Sequence, residues 1–171
     1  TPMPEVLTAA PIVPDAAANF LRWVALISAA VLLFLTWPEA TRGHAAEYYG
    51  SLLVAVAGVS LTGRANDLVS LFLALELISI PTYILLSLPS RSRPSQEAAA
   101  KYFLLSVLSS AVLLFGFSYL YGLTGSTNLA VVTDALTKAN AEALSPMALV
   151  GIVLVVAGIG FKITAVPFHF Y

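Results

Sequence analysis

The sequence contains no cysteine, which excludes disulfides, zinc–cysteine centres and iron–sulfur ligation within this chain. No redox cofactor and no metal are therefore expected here. Charge is almost as scarce. Only 10% of the residues are charged and 59% are hydrophobic, against about 25% charged and about 45–50% apolar in an ordinary soluble domain. A chain this poor in charge cannot cover a surface that faces water, whereas a chain dissolved in lipid has no need to. The net charge of −1, with no basic patch to neutralise phosphates, excludes nucleic acid as a partner. Sustained period-2 alternation is absent too, which argues against a β-barrel. The lipid bilayer is the expected surrounding, and the remaining alternative of a large soluble helical bundle fits the composition poorly.

The N-terminal stretch carries Pro2, Pro4, Pro11 and Pro14 and no basic region, so it is not a signal peptide. It reads as an extended loop over residues 1–19. The other end, Val166-Pro167-Phe168-His169-Phe170-Tyr171, stops inside an apolar segment without a cap. Both ends read as cut, and the expectation is an internal fragment of a longer protein.

A bilayer core about 30 Å thick needs about 20 mostly apolar residues per spanning helix. Residues 20–171 divide into five such segments, giving an all-α, polytopic helical bundle. The first span covers about 20–37, with Trp23 and Trp37 near its ends as interfacial aromatics and Pro38 expected to stop it. The second covers about 48–61, with Tyr48 and Tyr49 at its mouth. The third covers about 67–88, with Asn66 or Asp67 as N-cap and Pro89 after it. The fourth covers about 98–121, within a stretch from 102 to 133 that has no charge at all. The fifth covers about 146–166 and starts at Pro146, which suits a first helical turn. Between the last two, residues 129–143 fit a short amphipathic helix with Asp134, Lys138 and Glu142 on one face. Arg42, Arg91, Arg93 and Lys101 fall on one side of the membrane and Arg22, Arg64 and Lys138 on the other. The short loop with Arg91 and Arg93 places the first group in the cytoplasm.

Two of the charges inside spans stand out. Glu76 lies nine residues past Asp67, about 14 Å along the helix at about 1.5 Å per residue, and cannot reach water. A charge at a helix centre costs about 2.5–3.5 kcal/mol on insertion scales. Glu76 must therefore be protonated, paired, or facing a wet cavity; the bland form is a protonated acid with one interhelical hydrogen bond. Lys162 lies on the fifth span, which runs in the same direction as the third. Its Cβ points back toward the helix N-terminus, so the amine leans toward the depth of Glu76. A carboxylate partner would hold its proton and separation would release it; the bland form is a lysine snorkelling to the interface. Lys101, near the start of the fourth span, suits an interfacial anchor. His169 lies on the same side, and the unperturbed pKa of histidine, about 6.5, suits proton handling, although a lone histidine there is more often structural.

Three backbone breakers flank these charges. Pro81 frees the carbonyl of Leu77. Gly158 and Gly160 precede Lys162, and Pro167 follows it. Such weakening resembles the broken helices of transporters, whose unpaired backbone lines wet cavities; alternatively the glycines permit close helix packing.

Asn66-Asp67-Leu68, Leu71-Phe72-Leu73 and Leu75-Glu76-Leu77-Ile78-Ser79-Ile80-Pro81-Thr82-Tyr83 resemble the fifth membrane helix of the antiporter-like subunit N family of bacterial NADH:quinone oxidoreductase, respiratory complex I. Glu97-Ala98-Ala99-Ala100-Lys101-Tyr102-Phe103, with Ser109-Ser110 and Leu114-Phe115-Gly116, is similar to that family's sixth helix. Gly158-Ile159-Gly160-Phe161-Lys162-Ile163-Thr164-Ala165-Val166-Pro167-Phe168-His169 is similar to its seventh. The likeness covers about 47–171, while 1–46 fits only as a loop and the family's third helix. The resemblance implies an antiporter-like inverted-repeat fold of which this chain holds part of one repeat, without the eighth helix, the second repeat or the exit half-channel. It implies that Glu76 pairs with Lys162, and that Lys101 and His169 lie on a proton input path from the cytoplasm. It also implies a multi-pass protein of the bacterial inner membrane whose partners are other membrane-arm subunits. FMN, iron–sulfur clusters and quinone would belong to other subunits, and this chain would do no redox chemistry itself. The function expected is proton translocation as a subunit of that enzyme; the alternative is a subunit of a multisubunit cation/proton antiporter.

Overall fold

A computed structural model describes residues 10–40, 43–88, 93–140 and 145–163. Six helices occur among them: α1 Ala16–Ala40, α2 Ala45–Thr62, α3 Leu68–Ser87, α4 Arg93–Thr124, α5 Leu129–Asn140 and α6 Pro146–Lys162. No strand occurs among the described residues. The first four long helices, α1 to α4, are long and apolar enough to cross a membrane, and α6 is a shorter apolar helix.

Local chemistry sets where the helices begin. The Asp15 carboxylate accepts from the Ala18 N–H at 2.6 Å, so α1 starts one turn before Phe20. Near the C-terminus of α1 the helix continues past Pro38 to Ala40, although a proline there costs a hydrogen bond and crowds the carbonyl four residues back. Asp67 caps α3, its Oδ1 accepting from the N–H groups of Val69 at 2.9 Å and Ser70 at 3.1 Å. Asn128 caps α5 by accepting from Ala130 and Val131. The Ser145 hydroxyl accepts from Ala148 at the start of α6, with Pro146 in the first turn. Each cap supplies an acceptor to N–H groups that no preceding turn can satisfy.

The loops at one end of the bundle are stitched together by backbone bonds. Asn66 N–H donates to Pro11 O, Val13 N–H to Arg64 O, Leu68 N–H to Thr127 O, and Leu129 N–H to Asn66 O, all within 2.8–2.9 Å. Isolated antiparallel bridges pair Ile12 with Ala65 and Asp67 with Asn128. These bonds fix the start of α3 against the loop before α1 and the loop before α5.

Packing is tightest between α4 and α6. A Cβ placed on Gly158 would lie 2.7 Å from Leu113 Cβ and 3.0 Å from its Cα. A Cβ on Gly116 would lie 2.9 Å from Val155 N and 3.0 Å from Gly151 O. Missing side chains thus let two backbones touch, which is how apolar helices gain dispersion energy where lipid removes the hydrophobic drive. Gly58 does the same between α2 and α3, facing Ala74 O at 3.0 Å. The buried cluster lies between α3, α4 and α5 and holds Leu68, Leu113, Phe117, Leu120 and Val132. By contrast α1 exposes Phe20, Trp23, Ile27, Phe34 and Leu35, and among its described side chains buries only Ala18, Ala25 and Ala29. Its apolar outer face suits a lipid solvent.

Candidate functional site

The three central helices meet at one polar cluster inside this apolar bundle. Glu76 and Ser79 stand three residues apart on α3, hence on one face. Ser110 projects from α4, and Lys162 is the last residue of α6. Lys162 Nζ donates to Ser79 Oγ at 2.6 Å, to Glu76 Oε1 at 3.2 Å and to Ser110 Oγ at 3.2 Å. Ser110 Oγ in turn donates to Glu76 Oε1 at 2.5 Å. Ser79 Oγ donates to Leu75 O at 2.9 Å. Each hydroxyl proton is therefore committed elsewhere and each serine turns a lone pair toward the lysine. Three acceptors face Nζ, one for each N–H of an ammonium.

The cluster is shielded. The Lys162 side chain is 11% exposed and that of Glu76 24%, while Ser79 and Ser110 are buried. Lys162 does not snorkel; its amine is spent on internal partners. At 3.2 Å and an effective dielectric near 20, the gross attraction of the two charges is about 5 kcal/mol before desolvation. Desolvation offsets much of that, so the pair contributes little net stability, whereas removing one partner would strand the other charge.

Helix α6 ends at this site. Glu76 sits eight residues after Leu68 and eleven before Ser87, so the C-terminal turn of α6 lies level with the middle of α3. Ile163 N–H closes the turn onto Ile159 O. The last carbonyls of a helix carry partial negative charge, which favours a cation in that turn. Gly158 packs against Leu113, as the close-packing alternative has it, and its carbonyl also accepts from Ser109 Oγ at 2.9 Å. Packing and helix ending thus operate within one turn of Lys162.

Lys101 is elsewhere. It forms an exposed pair with Glu97 at 2.5 Å, one turn away on α4, nine residues and about 14 Å along the axis from Ser110. The cluster does not include it. His169 and Pro167 lie outside the described residues, as do Arg91 and Arg42. Ser79 and Ser110 escape a reading that looks only for charge. The signal available for them was position: Ser79 at i+3 from Glu76, and Ser106, Ser109 and Ser110 along one side of the uncharged part of α4, all buried. Among the described residues no group of three His, Cys, Asp or Glu side chains gathers to hold a metal ion.

An ion pair bound by serines where a helix ends inside an apolar bundle marks a multi-pass membrane protein with a charged site between its helices. The chain belongs to the NADH:quinone oxidoreductase/Mrp antiporter transmembrane family, whose model matches residues 65–171. It is 40% identical over 141 residues to NADH-quinone oxidoreductase subunit N of Rubrobacter xylanophilus, covering 82% of this chain and 28% of that one. It is 41% identical over 158 residues to NAD(P)H-quinone oxidoreductase subunit 2 of a Synechococcus species, covering 91% of this chain and 29% of that one. Among solved structures, a chain of respiratory complex I from Thermus thermophilus with bound aureothin superposes with a TM-score of 0.76 at 32% identity. That match covers 94% of this chain and 34% of the other. The chain thus spans about a third of the length of the relatives it matches. It is a multi-pass segment of a bacterial inner-membrane protein, with the all-α, antiporter-like bundle expected from its sequence.

Proposed function

We propose that this chain is part of a proton-translocating membrane-arm subunit of NADH:quinone oxidoreductase, and that Glu76 and Lys162 handle the proton. The observation that carries the reading is the ion pair at 3.2 Å between α3 and α6, shielded from water and resolved by two hydroxyls. An acid and an amine in contact hold a proton tightly on the amine. Drawing the carboxylate away removes the stabilising charge, and the amine then surrenders its proton. A conformational or electrostatic signal acting on α3 or α6 would time that release. Lys101 and His169 serve the uptake side in this reading. NADH oxidation and quinone reduction, with FMN and iron–sulfur clusters, belong to other subunits of the complex, which are this chain's partners.

A multisubunit cation/proton antiporter is the second reading, because the family's description embraces both types. The relatives at 40% and 41% identity are both quinone oxidoreductase subunits, which favours the first. The test uses the full-length subunit in the assembled complex. Lys162→Ala is expected to reduce NADH-driven proton pumping in membrane vesicles more than it reduces the amount of assembled complex. Pumping at the wild-type rate in an assembled Lys162→Ala complex rejects the proposal. Proton movement driven by a sodium gradient, without NADH, would select the antiporter.

A further inference from the structure

The shortest contact of Lys162 is not with its countercharge. Ser79 Oγ lies 2.6 Å from Nζ, against 3.2 Å for Glu76 Oε1. Ser79 is 2% exposed, and its hydroxyl proton is anchored on Leu75 O at 2.9 Å. A serine bonded to the carbonyl four residues back has its hydroxyl rotor held by the backbone and not by Glu76, and its free lone pair faces the lysine. Glu76 and Ser79 both stand on α3, yet they differ in kind. The acid changes charge, and the hydroxyl does not.

We infer that Ser79 is a positioning residue for proton transfer: it seats the Lys162 ammonium when Glu76 no longer holds it, and so sets how readily the lysine parts with its proton. The inference rests on the proposed proton-handling role of the pair and adds a second, uncharged seat to it. The groups facing Nζ support the assignment. Helix α3 contributes Glu76 and Ser79, and α4 contributes Ser110. No other charged residue lies on the facing stretch of α4, since 102 to 133 carries none. Ser110 cannot play the same part, because its proton goes to Glu76 and its orientation follows the acid. With Glu76 withdrawn or neutral, Ser79 is, among the described residues, the acceptor nearest to the ammonium. An ammonium with no acceptor in an apolar site is costly, and a fixed hydroxyl supplies that acceptor.

The experiment measures the pH dependence of NADH-driven pumping by the assembled complex in vesicles, for wild type, Ser79→Ala, Ser79→Thr and Lys162→Ala. Removing a hydrogen bond to a charged group is expected to move the alkaline limb of the Ser79→Ala profile down by roughly one to two pH units. Ser79→Thr keeps a hydroxyl that bonds the same carbonyl and is expected to restore the limb. A Ser79→Ala profile that superposes on wild type, while Lys162→Ala has lost pumping, overturns the inference and leaves the proton-handling proposal standing. Equal shifts in Ser79→Ala and Ser79→Thr overturn it as well, because they assign the effect to packing. Undiminished pumping by Lys162→Ala removes the parent proposal instead.

Discussion

Gly158→Ala tests whether the α4–α6 contact holds the lysine in place. The added Cβ would meet Leu113 Cβ at 2.7 Å, Cα at 3.0 Å and N at 3.1 Å. Carbon atoms rest at about 3.5–4.0 Å, so the helices must part by on the order of 0.7 Å. Two of the three obstructing atoms are backbone, and no rotamer change relieves them. Overpacking of this kind costs about 1–3 kcal/mol. The Ser109–Gly158 bond at 2.9 Å stretches with it. Lys162 lies one turn beyond, so its contacts to Ser79, Glu76 and Ser110 lengthen by a similar amount. A misplacement of about 1 Å at a reacting group can cost on the order of 100-fold in rate. The expected result is a complex that assembles at reduced yield on native gels and pumps several-fold more slowly per assembled complex. Assembly and pumping both at wild-type levels would show that Lys162 is not positioned by this contact, and the link drawn from packing to site would be wrong.

Three further outcomes follow from the same geometry. In a double-mutant cycle, Glu76→Leu and Lys162→Met should each lower the yield of assembled complex more than the double variant does relative to either single, because each single change strands a shielded charge at a cost of about 3–5 kcal/mol; additive losses would show the pair to be uncoupled. Asp67→Ala removes the acceptor for two N–H groups of α3 and should destabilise by about 1 kcal/mol, read as a lower temperature of half-dissociation, with Asp67→Asn close to wild type. Gly50→Ala, where a Cβ meets nothing within 4 Å, should be neutral or stabilising by up to about 1 kcal/mol, and a loss of assembly there would point to a partner surface on α2.

Much of the site was legible because charge is so rare in this chain. In the spanning segments Glu76 and Lys162 stand out against lipid, and the shared direction of their helices brings them toward one depth. The close-packing and helix-breaking readings of Gly158 were both written in the sequence, but only contact with Leu113 chooses the first for that residue. Element ends were less legible. Asp15 starts α1 a turn earlier than hydrophobicity suggests, because capping acts through a single hydrogen bond that a hydropathy pattern does not register, and Pro38 falls inside the helix it was expected to stop. Lys101, which resemblance joins to the proton path, lies apart from the cluster in an exposed pair with Glu97.

The sequence by itself determined the solvent, the secondary structure and the two expensive charges: a run of apolar residues this long has one stable home, and an acid or amine within it must find a partner. Tertiary structure alone decided which atoms meet. Serines are silent in a hydropathy plot, being neutral and frequent, so Ser79 and Ser110 acquire meaning only when α3, α4 and α6 cross. The depth at which α6 ends relative to α3 was also beyond a one-dimensional reading, since it depends on Gly116 fitting against Gly151 and Val155, and Gly158 against Leu113, residues far apart along the chain.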